Sequence, residues 1–241
     1  MTALTASLPA AGRRSRIVVL AAVCVAGGLL PMSLAGSSVA LASIGHGLSA
    51  SLVGQQWVVN AYNVMFASAM LVSGALADLL GRRRLFAIGL VLFVASSAAS
   101  AAAQQIVFLD IVRGLAGVGA AAVLTAGSAI LAQTFDGPAR ARAFGVLGTA
   151  FGAGLALGPS LGGLLVAASG WRAVFVMHAL IGAAVLAAVA WLPESRDHGA
   201  TGLDWRGAVT FTGSLFLLTL ALVEGAQIGR ASCRERVSYH V

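Results

Sequence analysis

The sequence predicts an all-α integral membrane protein, and three observations carry that reading. Of 241 residues, 59% are hydrophobic and 10% charged, with a mean hydropathy of +0.94; a soluble domain is typically about 25% charged. Apolar runs long enough to cross a bilayer, which takes about 20 residues at about 1.5 Å each, repeat along the chain. The arginines gather at alternate breaks between those runs, the asymmetry that sets membrane topology. The formal charge of +7 does not indicate nucleic acid. There is no lysine, and most arginines sit at run ends rather than along one face.

The runs cover residues 17–42, 53–76, 85–103, 106–133, 142–168, 172–192 and 207–224. Arg13, Arg14 and Arg16 precede the first, which is too long for a signal peptide and is followed by further spans, so it reads as an uncleaved first helix. Arg82, Arg83 and Arg84 follow the second run, Arg140 and Arg142 lie between the fourth and fifth, and Arg196 and Arg206 lie between the sixth and seventh. The intervening breaks, near His46, Gln104 and Gly170, carry only Arg172. The N-terminus is therefore expected on the cytoplasmic side of the cell's inner (cytoplasmic) membrane. The expected division is a cytoplasmic N-terminus (1–16), a six-helix bundle (17–192), a cytoplasmic loop (193–206), a seventh transmembrane helix (207–227) and a tail (228–241).

Within the first run, Cys24 reads as a small core residue; with Cys233 it makes neither a disulfide framework nor a metal-ligand spacing. The second run begins with its most polar part. Trp57 suits an interfacial anchor. Gln56, Asn60 and Asn63 belong to this polar part; Asn60 and Asn63, three apart, share a helix face, and such amides either bond a neighbouring helix or line a cavity, because unpaired polar groups facing lipid are costly. The stretch Gly74-Ala75-Leu76-Ala77-Asp78-Leu79-Leu80-Gly81-Arg82-Arg83-Arg84 reads as a tight cytoplasmic loop between two helices, with glycines for close approach and a sharp turn.

The fourth run holds Arg113, the most expensive residue in the chain, since a central arginine costs roughly 2.5–3.5 kcal/mol on insertion scales. Asp110, three residues back on the same face, is its expected partner. In the fifth run, Gly154, Gly158 and Gly162 recur every four residues and form a stripe without side chains, beside Gly163 and the kink-favouring Pro159. The sixth run opens Trp171-Arg172-x-x-Phe175 and contains His178, which reads as packed. No Ser/His/Asp set, HExxH, phosphate loop or usefully paired carboxylates appear, so no enzyme activity, metal or cofactor is expected.

Together these stretches resemble the major facilitator superfamily of secondary transporters. Gly74, Asp78, Gly81, Arg82 and Arg83 match its helix 2–3 loop, which is thought to latch the two halves of the transporter; Leu79 stands where the family often has a basic residue. The stretch from Arg113 to Ala121 resembles the R-x-x-x-G-x-G-A-A motif of helix 4, whose arginine is associated with proton coupling, with Ala116 where many relatives have glutamine. Gly154, Gly158, Pro159, Gly162 and Gly163 resemble the antiporter motif of helix 5 in drug exporters. Leu203-Asp204-Trp205-Arg206-Gly207, leading into the seventh run, resembles the fourteen-helix drug:proton antiporter branch.

The resemblance implies the N-terminal six-helix half of a major facilitator fold plus a seventh helix. It implies multidrug efflux by proton antiport, with the bilayer, protons and a small hydrophobic or cationic substrate as partners. Arg113 and Asp110 would serve proton coupling, and Gln56, Asn60 and Asn63 would line the substrate path. A facilitator for another cargo and a non-transporting membrane partner are the alternatives. Helix 1 departs from the branch pattern D-x-x-x-x-N-V-A-L-P: Ser33, Ser38 and Ala42 replace the acid, the asparagine and the proline. That removes the intramembrane carboxylate that would carry a proton. Glu224 is a possible substitute at a span end. The terminal Ile228-Gly229-Arg230-Ala231-Ser232-Cys233-Arg234-Glu235-Arg236-Val237 resembles the translation of a synthetic sequencing adapter. The native frame is accordingly expected to break near Gln227, leaving a fragment.

Overall fold

The computed structural model describes residues 13–192, 207, 210–218 and 221. Six helices follow one another: α1 (Arg13–Leu48), α2 (Leu52–Leu80), α3 (Arg82–Ala101), α4 (Ile106–Thr134), α5 (Gly137–Ser169) and α6 (Arg172–Ala188), the last continued by a 3₁₀ turn at Val189–Trp191. All six segments are long and apolar enough to cross a membrane. Of the expected seventh span, residues 210–218 are helical. The rest of that span, the expected loop 193–206 and the tail 228–241 lie outside the described residues apart from 207 and 221.

The bundle is built from close pairs: α1 with α5, α2 with α4, α3 with α4, and α6 against α3 and α1. Two apolar clusters fill it. One gathers Val23, Phe86, Phe93, Ala126 and Ile130; the other, toward the α1–α2 and α5–α6 connections, gathers Ile44, Val58, Leu109, Trp171 and Phe175. Helical pairing satisfies most of the backbone within each segment, the condition for crossing lipid, apart from the bonds that Pro31 in α1 and Pro159 in α5 remove.

Helices α1, α2 and α5 overrun their apolar stretches, because a helix continues as long as its residues accept the conformation and does not stop where hydrophobicity does, whereas α3 ends two residues and α6 four residues short of the expected run. The main correction is at residues 74–84. Gly74 and Asp78 lie in the last two turns of α2, and Arg82 and Arg83 open α3. The expected loop shrinks to Gly81 alone, with φ 100° and ψ 136°. A side chain rarely tolerates that backbone, so glycine turns the chain in a single residue.

The closest helix approach is α1 on α5. A Cβ at Gly154 would collide with the carbonyl oxygen of Gly28. At Gly158 it would lie 2.9 Å from the Ala35 Cβ and 3.0 Å from the Met32 carbonyl oxygen, and at Gly162 3.0 Å from the Cα of Gly36. Gly163 is different, since its Cβ would meet only Val39 at an ordinary 3.7 Å, and Gly148 and Gly152 face open space. Small residues at the crossing let backbones touch, which is how helices associate without a hydrophobic driving force in lipid. Gly154→Ala should therefore destabilise by about 1–3 kcal/mol through overpacking, while Gly152→Ala should be neutral or slightly stabilising. Unfolding of the purified protein in detergent checks this; equal losses at both sites would contradict the packing.

Candidate functional site

Arg113 projects from α4 into the space between α1, α2 and α6, where it is 1% exposed. Its Nε donates to the Val58 carbonyl of α2 at 3.1 Å, and Nη1 donates to Ser33 Oγ of α1 at 3.2 Å. The Tyr62 ring lies 4.5 Å from the guanidinium carbon and the Phe175 ring 5.8 Å from it. Tyr62 is itself fixed, donating its hydroxyl to the Leu30 carbonyl at 3.3 Å. Hydrogen bonds to a charged group contribute about 1.5–3 kcal/mol each, and a desolvated cation–π contact about 2 kcal/mol. Those contacts offset the insertion cost. Nη2, however, has no hydrogen-bond partner.

The expected Asp110–Arg113 pair is not formed. Three residues along a helix turn the chain by roughly 300°, and the guanidinium follows the α1 and α2 acceptors inward, leaving Asp110 at the α2–α4 groove. Asp110 Oδ1 is buried with no hydrogen-bond partner. Among the described residues no carboxylate pairs with Arg113. The position where the branch pattern has an acid, Ser33, is the one Arg113 bonds.

Sequence reasoning noted Ser33 as a departure and did not connect it to Arg113, because 80 residues separate them. Nor does the sequence connect Tyr62, in the polar part of the second run, or Phe175, at the opening of the sixth, to Arg113. The aromatic-plus-arginine signal was present, but only packing shows which rings face the charge. His178 is 0% exposed, lies edge-on to Phe175 at 6.5 Å and makes no hydrogen bond through either ring nitrogen, although the Met32 backbone lies beside it.

At the other end of the bundle, Asp78 and Arg82 come together across Gly81, with Arg82 Nη2 donating to Asp78 Oδ1 at 3.1 Å. The α4–α5 turn repeats the device: Arg140 Nη2 donates to Asp136 at 3.2 Å. Such partly exposed pairs stabilise little, typically about 0–1 kcal/mol; what they fix is turn geometry. Arg83 is half-buried beside Arg82. On α2, Asn63 and Gln56 are exposed and Asn60 half-buried, so the three amides present an outward face of the bundle.

Residues 21–224 match the model of the Major Facilitator Superfamily. The chain is 37% identical over 197 residues to "Multidrug resistance protein Stp" of Mycobacterium tuberculosis (strain ATCC 25618 / H37Rv), covering 81% of this chain and 37% of that protein. It is 35% identical over 193 residues to the "Methylenomycin A resistance protein" of Bacillus subtilis (strain 168), covering 80% and 41%. The chain thus spans less than half the length of these relatives. A crystal structure of the peptide transporter POT in complex with sulfate superposes with a TM-score of 0.68 at 16% identity, covering 85% of this chain and 46% of that one.

The unpaired charge generates a prediction. Ser33→Asp places a carboxylate at the hydroxyl that Arg113 contacts and turns a hydrogen bond with one charged partner into an ion pair. The unfolding midpoint in detergent should rise by a few degrees. The same change in an Arg113→Gln background should lower it, because the carboxylate would then be buried alone. A fall with Arg113 intact would contradict the account of the site.

Proposed function

This chain belongs to the major facilitator superfamily, and from that premise we propose that it forms the N-terminal half of a proton-driven multidrug exporter. The proposed setting is the cytoplasmic membrane, with the N-terminus and the Asp78–Arg82 turn inside the cell. The proposed cargo is a small hydrophobic or cationic compound, expelled as protons enter.

The observation that carries this reading is the α1–α5 seam at Gly154, Gly158 and Gly162, continuous with Pro159. A seam of backbone against backbone cannot slide without collision, so it supports movement of the six helices as one body. Rigid-body rocking of one bundle against another is how such folds alternate access. Asp78, Gly81, Arg82 and Arg83, with Gly74 a turn above, supply a rigid corner at the inner end that a second bundle would grip and release. Arg113 supports the proton step through its contact with Ser33 rather than through a helix 1 carboxylate. The outward amides of Gln56, Asn60 and Asn63 fit a face turned toward substrate or the second bundle, where water or protein satisfies them. The residues bind and move rather than react, so the proposed role is transport and not catalysis.

The test is dye efflux from energised membrane vesicles holding a whole transporter that carries this segment. Asp78→Asn keeps the shape of the side chain and removes the charge that Arg82 meets. Proton-driven efflux should be abolished while the protein is still made and inserted. Efflux at the normal rate would contradict the gating role of the corner.

A further inference from the structure

A cavity of about 390 Å³ lies in the groove between α2 and α4, closed on one side by Phe216. Its walls include Trp57, Met65, Ile111 and Leu115, and among the described residues its one charged lining residue is Asp110. Three features of this groove belong together. The first is the carboxylate: Asp110 Oδ1 is buried and has no hydrogen-bond partner, so the groove holds an acceptor with nothing to accept from.

The second is depth. Asp110 lies four residues into α4 and Trp57 five residues into α2, about 6–8 Å along each helix at about 1.5 Å per residue. Both helices start at the same end of the bundle, so the carboxylate and the indole sit at one level within about two turns of that end, the depth at which a spanning helix meets the polar boundary of a bilayer. Tryptophan is enriched there.

The third is a track leading away from the carboxylate. Val107, Ile111 and Leu115 recur every four residues on α4, on one face, and are 64%, 59% and 44% exposed. An anionic head above an open apolar stripe complements a molecule with a cationic head and a hydrocarbon tail.

We propose that this groove binds a membrane lipid with an ammonium headgroup, of the ethanolamine phospholipid class. The ammonium donates to Asp110 and lies against the Trp57 ring, and an acyl chain runs along Val107, Ile111 and Leu115 with Phe216 over it. A primary ammonium suits the site because it brings N–H donors to an unsatisfied oxygen, and an indole face attracts a cation. The inference goes beyond the export reading and depends only on the chain spanning a bilayer, so either can fail alone.

The test is native mass spectrometry of the whole chain in maltoside micelles, titrated with phosphatidylethanolamine and, separately, with phosphatidylglycerol, which has no ammonium. The wild type should retain one phosphatidylethanolamine at least about tenfold more tightly than phosphatidylglycerol, tenfold being about 1.4 kcal/mol. Asp110→Asn should remove that preference with an unchanged melting temperature, and Asp110→Glu should keep it. Equal retention of both lipids by the wild type would overturn the proposal, whatever the variants do. So would a preference that survives Asp110→Asn. Asp110-dependent binding of tetraphenylphosphonium without lipid selectivity would also overturn it, by showing a site for a soluble cation instead.

Discussion

Arg113 carries a full charge at a position that is 1% exposed in a chain that crosses the bilayer. A guanidinium has five donors and no acceptor, so what surrounds it must offer oxygen or π density. Here that comes from three other helices: a hydroxyl of α1, a carbonyl and a phenol ring of α2, and a phenyl ring of α6. No two of these helices can shift apart without stripping the charge of a contact. The arginine thereby does for the middle of the bundle what a hydrophobic core does for a soluble domain. It gives the helices one arrangement that meets most of its donors and its charge, in a solvent that gives apolar faces no reason to meet.

The remaining constraints are of backbone geometry. The α1–α5 seam is set by glycines that admit nothing larger, and the α2–α3 corner by one residue with a positive φ. Between them they make the bundle stiff at its side and sharp at the end that carries the α2–α3 corner. On the proposed export reading, a stiff body with a sharp corner suits rocking against a second bundle, while a loose loop at residues 74–84 would absorb such a motion without transmitting it.

Much of this was legible in the sequence, and the reasons are physical. Spans are legible because lipid forbids polar backbone and most charges, so hydrophobicity alone marks them. The seam was legible because a four-residue glycine period has one geometric meaning on a helix. The exact ends of the helices were not, since hydropathy marks the membrane and helices pass through its edge. The 74–84 stretch looked like a loop because its charges and glycines are loop-like one at a time; the structure shows that Gly81 does the turning for all of them. The Asp110–Arg113 pair was inferred from local spacing and failed because acceptors on other helices, 55 and 80 residues away, compete for the same donors. Ser33 was visible as an oddity, yet its meaning lay in a partner that no local window contains.

The central claim is that Arg113 joins α1 to α4 through Ser33. The direct measurement is a double-mutant cycle in unfolding free energy, using Ser33→Ala, Arg113→Gln and the double variant in detergent. Residues in contact couple by roughly 0.5–3 kcal/mol. The account predicts a coupling within that range, with the double variant losing less than the sum of the two single losses; strictly additive losses would contradict it.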